Sequence, residues 1–220
     1  MTASFFDQAY KTPAWLTEKL LQKKLSRRRL LKSAAGVSAI TAIPPVLQAA
    51  KSLTLTEAVK QDPWLTLQAV YRHLLPKSDS GPGADDIQAT NYLYNVIHLQ
   101  PTAAQEIAFV YRGVGWLNDY SQSQHQQNFI QLNQSQKEVL LKGISRSRAG
   151  ENWLSTLVDY LLEAMLTPPV YGGNPDGIGW RWLSHQAGFP LPVEGKRYYE
   201  LPGQTPQTIK QQSPRKGQKA

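Results

Sequence analysis

The chain has 220 residues, 41% of them hydrophobic, which suffices for one well-filled core and is too few for two large domains. It contains no cysteine, which excludes disulfides, thiolate zinc sites, iron–sulfur clusters and covalently attached c-type haem. The net charge of +8 is carried by two basic ends, since residues 51–195 hold more Asp and Glu than Lys and Arg. A nucleic-acid-binding face needs cations gathered on one surface, so we do not expect this protein to bind nucleic acid.

A twin-arginine export pattern lies in the first fifty residues. It consists of Ser26, Arg27, Arg28, Leu30, Leu31 and Lys32 (SRRxLLK). Small and apolar residues follow from 34 to 43, too few for the roughly 20 apolar residues of a spanning helix, so no stable anchor is expected. The pattern predicts export of the folded protein by the twin-arginine (Tat) translocase. The alternative is a basic amphipathic helix followed by an alanine-rich linker.

Two features around this pattern stay open. A cut after Ala49 or Ala50 would place Leu47 or Gln48 where signal peptidase favours a small residue, so whether the signal is cleaved is undecided. The pattern also begins late, behind a Leu- and Lys-rich stretch from Trp15 to Leu25 that we predict to be a short helix. The sequence assigns this stretch no role.

Helical spacing of apolar residues predicts about five helices in the body of the chain. They run from 63 to about 76, from 84 onward, from 101 onward, from 135 to 144, and from about 151 to 166. Acidic residues favour helix N-termini, so Asp85 and Asp86 are interpreted as capping the second helix, not as an acid/base pair. No segment alternates with period two. The fold class is therefore predicted to be all-α, with irregular connections.

Composition divides the chain into three parts. Residues 1–50 form an N-terminal extension with the signal, and residues 51–202 form the helical domain, which ends in a segment rich in Gly, Pro and Trp. Residues 203–220 are basic and have little to bury, so we expect this tail to be disordered.

The segment YGGNPDGIGWRW at 171–182 is a candidate partner-binding loop. Ordering so many glycines costs conformational entropy, so contacts must hold the loop in place, and Tyr, Trp and Arg dominate many interfaces. The candidate residues are Tyr171, Gly172, Gly173, Asn174, Asp176, Gly177, Gly179, Trp180, Arg181 and Trp182. The alternative is an intramolecular turn with Tyr171 and Trp180 packed on the helices, in which Asp176 forms an Asx turn.

Several of these residues together resemble the gluconate 2-dehydrogenase subunit 3 family over about residues 60–190. The matching elements are Leu74-Leu75-Pro76, Gly81-Pro82-Gly83-Ala84, Phe129 with Leu132 and Gln136, and above all the Y-G-G-N-x-D-G-x-G-W string at 171–180. The chain departs from the family pattern at Ser184-His185-Gln186, which lengthens the segment before the Gly188-Phe189-Pro190 turn. This departure leaves the substrate open.

The resemblance implies a small subunit with no catalytic residue, metal or cofactor of its own. Its implied partners are a GMC-type flavoprotein that carries FAD and oxidises gluconate or a related sugar acid or polyol, and a multihaem cytochrome c that carries c-type haem. The small subunit of such complexes serves maturation and Tat export of the flavoprotein. The resemblance therefore implies a periplasmic location, peripheral to the inner membrane through the complex.

Alternatives from other classes remain open at this point. A stand-alone periplasmic hydrolase would need a Ser or Thr nucleophile, and the sequence has no G-x-S-x-G motif. A Tat-exported assembly or ligand-binding protein would need no such motif. The histidines have no metal-ligand spacing and are interpreted as surface or core residues, so no metal is expected; they are His73, His98, His125 and His185.

Overall fold

The computed structural model describes residues 4–24 and 55–201. These residues form helices and short 3-10 turns with no β-strand, which confirms the all-α prediction. The helices of this part of the chain are α1 (Ala14–Lys24), α2 (Leu55–Ala58), α3 (Trp64–Leu74), α4 (Ala89–His98), α5 (Ala104–His125), α6 (Gln134–Ser145), α7 (Arg148–Leu166) and α8 (Ile178–Trp182). The export pattern from Ser26 to Lys32 and the predicted tail lie outside the described residues.

Helix α7 is the centre of the domain and packs against α3, α4, α5, α6 and α8. Its buried residues recur at helical spacing, and Trp153 among them is fully buried. The Trp153 indole Nε1 donates to the Val110 carbonyl of α5 at 3.0 Å. A Cβ atom at Gly113 would lie 2.1 Å from the same indole nitrogen. The close crossing of α5 and α7 therefore requires glycine at position 113.

Most helices that were predicted from apolar spacing are confirmed. The short N-terminal helix is α1, and α3, α5, α6 and α7 are present in the body. Helix α6 begins with a capping box. The Asn133 side chain accepts from the Gln136 backbone amide at 2.9 Å, and the Gln136 side chain accepts from the Asn133 backbone amide at 3.0 Å. The short apolar segment before it is a 3-10 turn in which Phe129 is fully buried.

The second predicted helix was placed too early. Helix α4 begins at Ala89, and residues 84–88 form turns that end at Gln88, whose φ is +53°. Asp85 accepts from Arg72 Nε at 2.7 Å, and Asp86 accepts from the Gly83 amide at 2.9 Å. The two carboxylates stabilise the turn and its neighbour α3, so the prediction that they cap α4 was wrong.

The N-terminal extension contributes to the same core as the body. Phe5 is only 2% exposed, and Tyr10 and Trp15 pack against the core cluster. The predicted domain boundary near residue 50 stays a prediction, but part of the extension packs as a layer of the domain. Within the described residues, no helix is long and apolar enough to cross a membrane.

Candidate partner-binding surface

Asn174 holds the glycine-rich loop in place from the inside. This residue is fully buried and has a φ of +53°, a left-handed conformation that asparagine tolerates better than most residues. Its side chain accepts from the Gly179 amide at 2.7 Å and donates to the Thr167 carbonyl at 3.0 Å. Its backbone amide donates to the Ile87 carbonyl at 2.9 Å. Asn174 thus joins the loop to the end of α7 and to the turn before α4.

Two asparagines of α4 bind the start of the loop. Asn91 Nδ2 donates to the Gly172 carbonyl at 2.7 Å, and Asn95 Nδ2 donates to the Tyr171 carbonyl at 3.1 Å. Our sequence analysis did not identify either residue. Their spacing of four places both amides on one face of a helix, which was the available signal.

Tryptophans fix the other end of the loop. Trp180 Nε1 donates to the Leu166 carbonyl at 2.7 Å, and Trp182 Nε1 donates to the Ser80 carbonyl at 2.7 Å. A Cβ atom at Gly81 would lie 2.5 Å from the Trp182 ring, so the ring covers this glycine closely. The Gly81-Pro82-Gly83 segment and the glycine-rich loop, 90 residues apart in the chain, therefore meet in space.

The candidate residues divide into a buried group and an exposed group. Gly173, Asn174, Gly177 and Gly179 are buried within this chain, where packing explains them and a partner cannot reach them. Tyr171, Gly172 and Trp180 are partly buried, as the intramolecular alternative describes. Asp176, Arg181 and Trp182 are exposed, and Trp182 retains 43% of its surface. Partner contact stays a prediction for this exposed group.

The exposed group continues into an apolar segment that sequence reasoning did not single out. Leu183, Leu191 and Val193 are exposed, and the Phe189 side chain is 97% exposed. Arg181, just before Leu183 in the chain, donates from its guanidinium to the Asp176 carbonyl. We call Arg181, Trp182, Leu183, Phe189, Leu191 and Val193 the rim. Exposed apolar groups of this kind mark many protein-binding sites.

A second concave region lies between α1, α4 and α7. Lys19, Tyr92, Glu163, Leu162 and Leu166 are among the residues that line a cavity of about 460 Å³. Tyr92 donates from its hydroxyl to Glu163 at 3.1 Å. Burial raises the pKa of Glu163, although the hydrogen bond from Tyr92 and the charge of Lys19 act in the opposite direction. The pKa of Tyr92 is also raised, mainly by burial.

The four histidines lie in four separate environments. The His73 side chain is 7% exposed and contacts Glu138 through Nε2 at 2.6 Å. His98 packs 4.3 Å from the Tyr94 ring, where burial lowers its pKa. His125 lies at the end of α5, and His185 is exposed near Trp180. Across residues 4–24 and 55–201, no group of three or more His, Asp or Glu side chains could hold a metal ion.

Comparison with known proteins gives one family. Residues 61–188 match the family model described as gluconate 2-dehydrogenase subunit 3. The match includes α3 to α8, the glycine-rich loop and the start of the rim. No curated protein and no solved structure matches the chain.

Proposed function

The chain belongs to the gluconate 2-dehydrogenase subunit 3 family, and from this premise we propose that it is the non-catalytic small subunit that matures and exports a FAD-dependent, GMC-type flavoprotein. The family name implies an accessory subunit of a multisubunit gluconate dehydrogenase complex. In our proposal FAD belongs to the flavoprotein and c-type haem to a cytochrome subunit. The complex oxidises gluconate or a related sugar acid or polyol at the periplasmic face of the inner membrane.

The arrangement of the rim is the observation that carries the proposed flavoprotein contact. The loop beneath it is held by buried hydrogen bonds from Asn174 and by the Trp180 bond to α7. Arg181 and Trp182 of the rim are therefore presented on a fixed base, which lowers the entropy cost of binding through them. Arginine and tryptophan are the residue types that contribute most at interface centres, and exposed apolar neighbours help to exclude water.

The twin-arginine pattern supports the export half of the proposal. Tat export moves folded proteins, often because a cofactor has to be inserted before export. The sequence of this chain shows no cofactor-binding motif of its own, and it has no cysteine for haem attachment. Export of a cofactor-bearing partner together with this chain would explain why the chain has a twin-arginine signal.

Capture of the flavoprotein tests the rim. We expect Arg181→Ala and Phe189→Ala each to weaken binding by about 1–3 kcal/mol, which is roughly 5-fold to 150-fold in Kd. Both side chains are exposed, so the melting temperature should change little. Val139→Ala is the matched control, since Val139 is also exposed and apolar but lies on α6 and is not part of the rim.

Trp182 is a less selective probe, because its indole also bonds to Ser80 and covers Gly81. We expect Trp182→Ala to weaken capture and to lower the melting temperature as well. Normal capture by both Arg181→Ala and Phe189→Ala would place the interface elsewhere. A tagged chain that is isolated from membranes without a yellow, FAD-bearing companion would contradict the subunit proposal as a whole.

Export is tested by the arginine pair. Lysine keeps the charge of arginine and loses its planar hydrogen-bonding geometry. We expect Arg27→Lys with Arg28→Lys to leave both this chain and the flavoprotein in the cytoplasm, and Arg29→Lys to change little. Fractionation that finds the double variant in the periplasm would refute the Tat assignment.

A further inference from the structure

One face of α5 and α7 forms a groove that the N-terminal extension covers with aromatic side chains. The Phe5 ring lies 5.2 Å from the Trp116 ring and 5.5 Å from the Trp153 ring, measured between centroids. Further along the extension, the Trp15 ring lies 5.8 Å from the Phe109 ring. The apolar part of the groove therefore accepts an aromatic side chain at two places.

The same groove holds a cation. Glu106 of α5 is only 7% exposed, and its carboxylate pairs with Lys19 Nζ at 2.5 Å. The Tyr160 hydroxyl donates to the same carboxylate, and the Lys19 ammonium lies 5.1 Å from the centre of the Tyr160 ring. Glu163 lines the adjoining cavity together with Lys19. Carboxylates and an aromatic ring thus surround one ammonium group, an arrangement that suits lysine or arginine.

These groups depend on a partner for their stability. Asn152 of α7 is 8% exposed and donates to the Tyr10 hydroxyl at 3.3 Å and to Thr12 Oγ1 at 3.1 Å. A buried carboxylate without its cation and a buried amide without its acceptors are both unfavourable. Loss of the extension therefore leaves unpaired polar groups beside uncovered aromatic rings, and surfaces of this kind mark protein-binding sites.

The place of the extension in the chain decides when the groove opens. Helix α1 ends at Lys24, and the export pattern begins at Ser26. In the proposed export, the translocase holds the arginine pair while the folded body crosses the membrane, so residues ahead of the pair do not follow the body. The groove is then open on the periplasmic side, whether or not the signal is cut.

We propose that the opened groove is the docking surface for the cytochrome subunit, which inserts a segment that carries an aromatic side chain and a lysine or arginine. The cation takes the place of Lys19 beside Glu106, and the aromatic ring takes the place of Phe5 between Trp116 and Trp153. The order of assembly favours this partner, because the flavoprotein binds before export, when the groove is covered. The inference rests on the proposed function for its two partners and for the export route.

The first test asks whether export opens the groove. Chain is isolated through a C-terminal tag from the periplasm of cells that lack the cytochrome subunit, and a labelled synthetic peptide of residues 4–24 is added. By fluorescence anisotropy we expect a Kd of about 10 μM or lower, and binding at least about 10-fold weaker for a peptide with Phe5→Ala and Lys19→Ala.

The matched control is the full chain with Arg27→Lys and Arg28→Lys, which is kept in the cytoplasm and retains its extension. A tethered segment acts at a local concentration of about 1 mM, so the extension of this variant should exclude the peptide. Equal binding to the two proteins, or no binding to the exported chain up to about 100 μM peptide, would overturn the proposal.

The second test asks what fills the groove in the complete complex. Glu106→Gln keeps an acceptor for the Tyr160 hydroxyl and removes the charge that pairs with a cation. We expect this variant to retain about 10-fold less haem on the tagged chain and an unchanged amount of flavin. Asp119→Asn is the control, since Asp119 is an exposed carboxylate on the same helix and should retain haem normally.

The outcomes separate this inference from the proposed function. A tagged chain without flavin contradicts the proposed function, whereas normal flavin with haem that Glu106→Gln leaves in place contradicts the inference alone. Peptide binding that appears only after deletion of residues 203–220 would assign the groove to the basic tail of this chain and overturn the proposal.

Discussion

Replacement of Asn174 by alanine should strongly destabilise the domain. Asn174 is fully buried, and alanine cannot replace either side-chain bond. The Gly179 amide would lose an acceptor at 2.7 Å, and the Thr167 carbonyl would lose a donor at 3.0 Å. Each buried group left without a partner costs about 1–3 kcal/mol.

The backbone adds to this cost. The φ of +53° at position 174 is tolerated by asparagine and costs alanine about 1–2 kcal/mol. Since such effects are not fully additive, we expect a total loss of about 3–5 kcal/mol, which is a large part of the about 5–15 kcal/mol that typical domains have. For a chain of this length the melting temperature should fall by about 6–20 °C.

Thermal unfolding followed by circular dichroism measures the effect, and the chain provides a matched control. Asp176 has the same φ of +53° and is exposed, so Asp176→Ala carries the backbone cost without the buried hydrogen bonds. We expect the control to lower the melting temperature by about 2–8 °C. Equal shifts for the two variants would show that the buried bonds of Asn174 contribute nothing and would refute the reasoning.

Three further predictions concern packing, pH and cofactor content. Gly113→Ala should destabilise the domain by about 1–3 kcal/mol, because the new Cβ would meet the buried Trp153 ring. Gly115→Ala should stabilise the domain by about 0.5–1 kcal/mol, because position 115 of the same helix has open space around it. Urea unfolding of the two variants checks both signs. Burial raises the folded-state pKa of Glu163 above its ordinary value of 4.5, so the free energy of unfolding falls as the pH rises through that folded pKa. Glu163→Gln should therefore melt at a higher temperature than the parent at pH 7.5 and at much the same temperature at pH 4. A larger gain at pH 4 than at pH 7.5 would contradict this sign. Purified without its partners, the chain should be colourless and inactive toward gluconate or polyols with an artificial acceptor, and turnover that survives rigorous removal of flavin would overturn the accessory role.

The sequence predicted the helices whose apolar residues repeat regularly. Trp153 and Leu157 of α7 follow the helical period, and both are fully buried. The same reasoning misplaced the start of α4, because Ile87 continues the apolar pattern although it lies in a turn. Asp86 resembled a helix cap and instead caps the turn through the Gly83 amide. Local patterns do not distinguish these cases, since the turn also depends on a contact far away in the chain, the hydrogen bond from the Asn174 amide to the Ile87 carbonyl.

For the site, the sequence identified the segment but not the roles of its residues. The loop from Tyr171 to Trp182 was singled out as a unit, yet a string of glycines does not show which side faces the core. That division is set by Asn174 and by its distant partners, which no local pattern relates to it. Phe189 was passed over because a single aromatic beside proline has no periodicity, and its exposure becomes visible only in three dimensions.

The packing of the extension also sets an order of events during synthesis. The extension is made first, but its partner Asn152 follows Thr12 by 140 residues. At about 5–20 residues per second, the ribosome needs roughly 7–28 s to supply that partner. Throughout this interval the aromatic anchors around Phe5 have no cleft to enter, and they are available to chaperones or to other chains. Expression of the subunit should therefore be more sensitive to chaperone supply than expression of a Phe5→Ser variant, although that variant forms the less stable domain.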